Sequence, residues 1–347
     1  MKNPGKYNTQ IYGATILMRN LSALMQEIDG VLAAEDIEYV HRMRVATRRL
    51  RSALPLFGPL IAAKRHEAWR KEISGITRAL GEARDTDVQI EHIADFVEKL
   101  NRPERAGVRR LLLRLRQRRT HLQDDVIKAV SKFQKSSLAV EMAQKLAPLD
   151  IYKDKVNLAE PHLVGLAGKN IQDKLNDFLG YESHIYDPEN ITELHAMRIA
   201  AKRLRYTVEF FTPLYENELK PTLKVLRASQ DLLGEIHDCD VWTAALPQFI
   251  DEERLRTIEY FGSTRPFKRL EPGLVYYQQV RHEERQALYE QFIHSWAQWQ
   301  QQEVWSELSA TLQQALEKAT AQPEEAVETV ETDDSESPAG PQEPAVG

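Results

Sequence analysis

Two short segments are rich in arginine, lysine and histidine, the residue types that bind phosphate groups. Residues 41–51 read HRMRVATRRLR, and residues 195–205 read HAMRIAAKRLR. Arginine presents a planar fork of N–H donors that binds pairs of phosphate oxygens, and it keeps its charge at every physiological pH. Histidine adds a charge that depends on pH and that a nearby polyanion favours. The segments therefore predict binding of anionic groups, although the formal net charge of the chain is −6.

The basic residues of each segment fall on one face of a helix. At about 100° per residue, four basic side chains recur once per turn, opposite the apolar side. A solvated surface is the ordinary explanation of a charged helix face, but residues 41–53 contain no Asp or Glu that would neutralise it. A cationic stripe present twice predicts a ligand with repeating negative charge. The predicted binding residues are His41, Arg44, Arg48, Arg51, His195, Arg198, Lys202 and Arg205.

The opposite side of each helix is predicted to face a hydrophobic core. These apolar positions are Met43, Ala46, Leu50, Ala53, Leu54 and Phe57, and in the second segment Met197, Ala200, Leu204, Val208 and Phe211. Glu209 lies near the basic face of the second segment and is expected to weaken anion binding at that end.

Nine further basic residues are secondary candidates, because exposed helices accumulate such side chains for other reasons. Some flank the stripes, and others occur in the arginine-rich segment 108–122 or correspond between the two halves. Arg114 is aligned with Arg281, and Arg118 with Arg285. The secondary binding residues are Arg42, Arg49, Arg70, Arg114, Arg118, Arg203, Lys224, Arg281 and Arg285.

A second, acidic motif follows each basic segment. It reads LGEARDTDV at 80–88 and LGEIHDCDV at 233–241. Gly81 and Gly234 are predicted to end one helix, and the aspartates to cap the next, with the glutamates holding arginines of the stripe. The residues assigned to capping and arginine orientation are Glu82, Asp85, Asp87, Glu235, Asp238 and Asp240.

The same acidic motif leaves a metal-dependent phosphohydrolase open as an alternative. His237, Asp238 and Asp240 are the residue types that such a site uses, but Arg84 occupies the position of His237 in the first copy. Arginine does not ligate metals, so both copies cannot hold one. The prediction is a binding protein with no enzymatic activity, metal or cofactor. Nucleic-acid binding is a further alternative that the absence of aromatic residues between the arginines disfavours.

The repetition of both motifs indicates a tandem duplication. At an offset of 154, seven of eleven positions of the basic segment are identical, as are six of nine in the acidic motif at an offset of 153. Apolar residues recur three and four apart, and strict alternation is absent, so the fold class is all-α with two antiparallel helical bundles related by a pseudo-two-fold axis. The predicted units are residues 1–135 and 161–320, joined by a connector at 136–160.

Composition places the chain among cytoplasmic proteins. Cys239 is the only cysteine, the first residues do not resemble a signal peptide, and no apolar run is long enough for a membrane helix. Residues 321–347 contain eight acidic residues, no basic residue and no aromatic residue, which predicts a disordered acidic tail. Without that tail the formal charge is +2 rather than −6.

The two motifs together resemble the CHAD family, the conserved histidine α-helical domain. The mark of that family is a repeated HxxRxxxKRLR-like helix, followed here in both halves by LGxxxDxDV. The resemblance covers about residues 10–315. It implies paired helical bundles whose basic surface binds inorganic polyphosphate, with association to polyphosphate granules in some members, through the eight basic-stripe residues given above. The resemblance also implies an alternative role, in which the histidines chelate a metal ion.

Overall fold

The computed structural model describes residues 4–58 and 63–321, and the regular elements within these ranges are helices. The first repeat contributes α1 (Pro4–Gln26), α2 (Ile28–Ala33), α3 (Ile37–Leu56), α4 (Ala63–Lys99), α5 (Arg102–Gln134) and α6 (Leu138–Asp150). The second contributes α7 (Pro161–Leu179), α8 (Ile191–Phe211), α9 (Lys220–Phe261), α10 (Glu271–Gln301) and α11 (Val304–Ala321). The predicted all-α fold class is confirmed. Apart from Ala321, which ends α11, the predicted acidic tail lies outside the described residues.

No helix in these ranges is long and apolar enough to span a membrane. The basic segments lie on α3 and α8, and every apolar position predicted to face inward on these two helices is buried. Burial of one large aliphatic side chain contributes about 1.5–3 kcal/mol. The core therefore fixes which face of α3 and α8 remains for the basic residues.

Both acidic motifs lie inside uninterrupted helices, which corrects the prediction of a helix break. Helix α4 continues through residues 80–88 and helix α9 through residues 233–241. A glycine inside a helix costs only about 1 kcal/mol relative to alanine. The buried residues Leu80, Ala83, Leu233 and Ile236 continue the apolar stripe past each glycine, so packing outweighs that cost. None of the six acidic residues caps a helix.

The same pairs of helices pack together in each repeat. Helix α1 contacts α3 as α7 contacts α8, α3 contacts α4 as α8 contacts α9, and α4 contacts α5 as α9 contacts α10. The helix of the predicted connector, α6, packs on α1, and α11 packs on α7 in the same way. The structural order of the helices therefore follows the sequence repeat, while an exact pseudo-two-fold axis stays a prediction.

The repeats meet at several helix contacts, among them that of α3 with α8. Phe57 and Phe211 occupy equivalent positions at the offset of 154, and their ring centroids are 5.8 Å apart. Tyr12 stacks on Phe211 at 6.1 Å, and its hydroxyl donates a hydrogen bond to the carbonyl oxygen of Phe210 at 2.7 Å. Contact between equivalent residues places the two basic helices side by side.

Two hydrophobic clusters hold the helices together, and both contain residues of both repeats. The larger cluster extends from α1 to α11. The smaller one joins the C-terminal part of α4 and the N-terminal part of α5 to the corresponding parts of α9 and α10. Because each cluster joins the two repeats, the relative position of α3 and α8 is set by extensive apolar burial.

Candidate functional site

A groove of about 650 Å³ lies beside the contact between α3 and α8. Its walls come from α3, α4, α7 and α8, so both repeats contribute to it. Seven basic side chains line it and no carboxylate does. These basic residues are Arg44, Arg48, Arg51, Arg70, Lys174, Lys202 and Arg203.

Arg48 of α3 and Lys202 of α8 are equivalent residues of the two repeats, and both line the groove. The guanidinium carbon of Arg48 is 5.5 Å from the centre of the Tyr206 ring, and that of Arg205 is 4.8 Å from it. A cation over an aromatic face is stabilised by the quadrupole of the ring. Tyr206 is itself buried, so it provides a fixed platform that orients Arg48.

The charge of Lys202 depends on its surroundings. Burial, and then the positive charges of Arg48, Arg198 and Arg44, lower the pKa of Lys202 to about 7, against the opposing effect of Asp85. Burial likewise lowers the pKa of Arg48 and of Arg51. Crowding of like charges in a partly buried groove is unfavourable without a counter-charge. A counter-charge placed in the groove would therefore relieve this repulsion.

The positive groove continues past Lys202 into a smaller cavity of about 250 Å³. Arg198 and Lys202 line it together with Asp231, Glu235 and Asp238. Three carboxylates here outnumber two cations, whereas the larger groove has cations only. The two ends of the site are therefore unequal, and the excess positive charge lies in the larger groove.

The glycines of the acidic motifs lie against arginines of the stripes. A Cβ atom on Gly81 would lie 3.9 Å from Nε of Arg44, and one on Gly234 would lie 3.8 Å from Nε of Arg198. Arg44 also donates a hydrogen bond from Nη2 to Oδ1 of Asp85 at 2.9 Å. Each glycine thus leaves room for an arginine to lie across the neighbouring helix, where a side chain larger than a methyl group would displace it.

The last aspartate of each acidic motif binds an arginine of a different helix. Asp87 of α4 accepts from Nε of Arg119 at 2.7 Å, and Asp240 of α9 accepts from Nε of Arg285 at 2.9 Å. All four side chains are mostly buried. Arg285 therefore corresponds to Arg119, and the predicted alignment with Arg118 is wrong by one residue. Arg285 is a structural residue rather than an exposed binding residue.

Glu82 and Glu235, the remaining members of the acidic motif, are both exposed. Neither forms an ion pair with a residue that the structure describes, so the arginine contacts of the motif come from its aspartates.

The histidines lie beside the groove rather than in its lining. Nδ1 of His195 and Nδ1 of His237 are 3.0 Å apart, a hydrogen bond in which one ring donates and the other accepts. Burial, and then the charge of Arg198, lowers the pKa of His195 and lowers that of His237 to about 4. Burial and Arg84 lower the pKa of His41. All three rings are therefore neutral in the free protein near pH 7.

Several predicted binding residues are engaged by carboxylates elsewhere. Glu209 accepts from Arg49 at 3.1 Å and from Arg205 at 3.2 Å. Arg42 pairs with Glu27 at 2.9 Å. These pairs neutralise the three predicted binding residues Arg42, Arg49 and Arg205, and none of the three lines the groove.

The predicted ligands on α5 and α10 also lie away from the groove. Arg114 binds the fully buried Glu253 at 2.6 Å. Arg281 is buried beside Glu284. Arg118 and Lys224 are exposed but line neither cavity. These assignments rested on the arginine-rich segment and on correspondence between the two halves, and the structure does not bring these residues to the groove.

Among the basic and aromatic residues of the groove, Lys174 and Tyr206 were not predicted from the sequence. Lys174 is an isolated lysine of α7, and its only ion pair within the described ranges is with Asp177. Tyr206 follows the basic segment in the second repeat, whereas the equivalent residue of the first is Ser52. No internal repetition marks either residue.

A metal-dependent phosphohydrolase, the alternative function, would need several metal-binding side chains close together. Among residues 4–58 and 63–321, no group of three His, Cys, Asp or Glu side chains is placed to hold a metal ion. His195 and His237 form a close pair without a third ligand.

Fold and site together define an all-α protein of two sequence repeats with a cationic groove where the repeats meet. Within that class, the chain belongs to the CHAD domain family, because the model of that family matches residues 15–247. The resemblance found from the two motifs is thereby confirmed. No curated protein matches the chain.

Two solved structures share this fold. The CHAD domain from the plant Ricinus communis is 24% identical, with a TM-score of 0.59 over 82% of this chain and 91% of that one. PptA from Streptomyces chartreusis is 16% identical, with a TM-score of 0.54 over 83% of this chain and 99% of that one. At these identities the likeness concerns the fold alone.

Proposed function

We propose that this protein binds inorganic polyphosphate in the groove between α3, α4, α7 and α8, without catalysing its turnover. The observation that carries the proposal is the lining of seven basic residues from both repeats with no carboxylate. A chain of phosphates places negative charge at short, regular intervals, which matches several cations along one groove. Arginine binds such oxygens in pairs, and lysine adds a point charge.

The free cations of the groove support this ligand. Arg48, Arg51, Lys202 and Arg203 have no ion-pair partner within the part of the chain that the structure describes, and burial lowers the pKa of three of them. A structural role would pair these charges, as it does for Arg119 and Arg285. Their arrangement favours a ligand that supplies the missing negative charge.

The aromatic content of the groove favours polyphosphate over nucleic acid. Proteins that bind single strands stack bases on accessible aromatic side chains. The one aromatic residue among those lining the groove, Tyr206, is buried and occupied by guanidinium groups. Binding of polyphosphate would bring the protein to cytoplasmic polyphosphate granules in cells that contain them.

Binding is expected to weaken steeply with salt. Four groove cations are free, and three more pair with a carboxylate that a phosphate could replace. With about 0.7 counterions released per contact, as for a flexible single strand, log K should fall against log salt with a slope of about −3 to −5. Titration of the full chain with long-chain polyphosphate at several KCl concentrations measures this slope.

A slope near zero would contradict binding through the groove. Single-stranded RNA at equal phosphate concentration serves as competitor and should displace polyphosphate poorly. The purified protein incubated with polyphosphate and Mg²⁺ or Mn²⁺ should release no phosphate. Release that depends on His237 would support the hydrolase instead.

A further inference from the structure

A second groove, of about 820 Å³, lies on the other side of α4, between α4 and the C-terminal part of α5. The proposed function does not use it. Four basic side chains and two carboxylates line it, so its net charge is positive. The basic residues are Arg70, Lys71, Arg78 and Lys132, and the acidic ones are Glu67 and Glu72.

The two grooves meet on α4. Arg70 and Ser74 line both of them. Arg70, Ser74 and Arg78 are spaced four apart and therefore follow one another along the same side of the helix. A helix with its side chains is only about 10–12 Å across. A flexible anionic chain leaving the first groove at Arg70 thus has a short path over Ser74 into the second.

Side chains are small on the surface of α4 where the chain would cross from one groove to the other. Beside Ser74, Gly75 has no side chain, and a Cβ atom built on it would meet no other atom within 4 Å. The surface of α4 is therefore open here, with basic residues before and after the opening.

The basic residues beyond the crossing are available to a ligand. Lys71, Arg78 and Lys132 are exposed, and none has an ion-pair partner within the two described ranges. Glu67 is already bound by Arg70 through two hydrogen bonds of 2.9 and 3.0 Å. Glu72 is the one lining carboxylate without such a partner, so cations exceed free carboxylates in this groove.

We propose that the cationic surface continues from the first groove across α4, and that the second groove binds the further phosphates of a long polyphosphate chain. This inference rests on the proposed function, because it concerns the part of the same ligand that the first groove cannot hold. The second groove then contributes to affinity for long chains and not for short ones. The protein would distinguish polyphosphates by length through contacts on both sides of one helix.

The first test removes the charges of the second groove. The triple variant Lys71→Ala, Arg78→Ala, Lys132→Ala should bind tripolyphosphate within about twofold of the natural chain. It should bind long-chain polyphosphate about tenfold more weakly, with the salt slope reduced by about two. The matched control is the triple variant Lys145→Ala, Arg265→Ala, Lys268→Ala, which removes two lysines and one arginine that are exposed and line neither groove.

A second test blocks the crossing without removing any contact. Gly75→Glu adds a carboxylate where the helix is open, and glycine replacement in a helix does not reduce its stability. It should weaken binding of long chains several-fold and leave tripolyphosphate unchanged, while Gly75→Gln, of the same shape, should do neither. Equal binding of long chains by the natural chain, the triple variant and Gly75→Glu would overturn the inference.

The experiments give different results if polyphosphate binding itself is wrong and if only the role of the second groove is wrong. If the natural chain bound neither ligand, the proposed function would be wrong. If it bound both and the triple variant weakened both equally, the second groove would not be a separate extension for long chains.

Discussion

Replacement of both Arg48 and Lys202 by glutamine is expected to weaken polyphosphate binding by at least about a hundredfold. Each cation loses a charge-assisted contact worth about 1.5–3 kcal/mol, and each 1.4 kcal/mol is a factor of ten in affinity. These two residues line the groove where α3 and α8 meet, and neither has an ion-pair partner within the described part of the chain. Isothermal titration calorimetry with long-chain polyphosphate measures the loss.

The matched control for this variant is Arg118→Gln with Lys224→Gln. It removes one arginine and one lysine, one from each repeat, and both are exposed and outside the two cavities. Its affinity should stay within about twofold of the natural chain. Circular dichroism should show unchanged helicity in both variants, because glutamine keeps much of the side-chain stem and like charges are removed from a crowded site. Equal losses in both variants would mean that overall charge, rather than the groove, determines binding.

Binding is expected to become weaker as the pH rises above 7, through Lys202. In the free protein burial and three arginines lower the pKa of Lys202 to about 7, so the side chain is largely uncharged at pH 8. A bound polyanion favours the ammonium form and raises this pKa. Binding above pH 7 therefore takes up a proton, and affinity falls by up to one decade per pH unit until the pKa of the complex is reached. Phosphate groups are already ionised in this range.

The variant Lys202→Arg isolates this effect. Arginine keeps its charge throughout, and the first repeat already has Arg48 at the equivalent position. Between pH 7 and pH 9 the natural chain should lose about tenfold in affinity or more, and Lys202→Arg should lose little. Calorimetry in buffers of different ionisation enthalpy should detect proton uptake only in the natural chain. The exposed Lys224→Arg is the control, and uptake that persists in Lys202→Arg would contradict the assignment.

His41 and His195 are expected to affect polyphosphate binding below pH 7. The pKa values of His41 and His195 are lowered from the usual histidine value, so the rings are neutral in the free protein. A polyanion that raises these values would draw further protons as the pH falls below about 6.5. The effects of lysine and histidine therefore have the same sign and separate ranges of pH.

The groove face of α3 and α8 could be predicted from sequence because helical periodicity is local. Arg44, Arg48, Arg51 and Lys202 line the groove as the stripe predicted. Arg205 belongs to the predicted stripe but does not line the groove, and the sequence shows a reason. Four residues after it stands Glu209, which binds it, whereas four residues after Arg51 stands Pro55, which has no charge. The two copies of the stripe are therefore not equivalent.

Other parts of the site depend on contacts between distant segments. The pairing of Asp87 with Arg119 and of Asp240 with Arg285 joins residues that no local pattern connects. The prediction of a helix break at Gly81 and Gly234 considered only the low helix propensity of glycine. It did not include the burial of apolar residues on either side, which keeps both helices continuous. The carboxylates of the smaller cavity likewise come from α9 alone and make the two ends of the site unequal.

A crystal structure of the protein with polyphosphate would show whether the ligand occupies the groove between α3, α4, α7 and α8. Phosphate density is expected in the groove, within about 3 Å of the guanidinium of Arg48 and of Nζ of Lys202. Density confined to the exposed arginines of α5, with the groove between the repeats left empty in the complex, would contradict the proposed binding site.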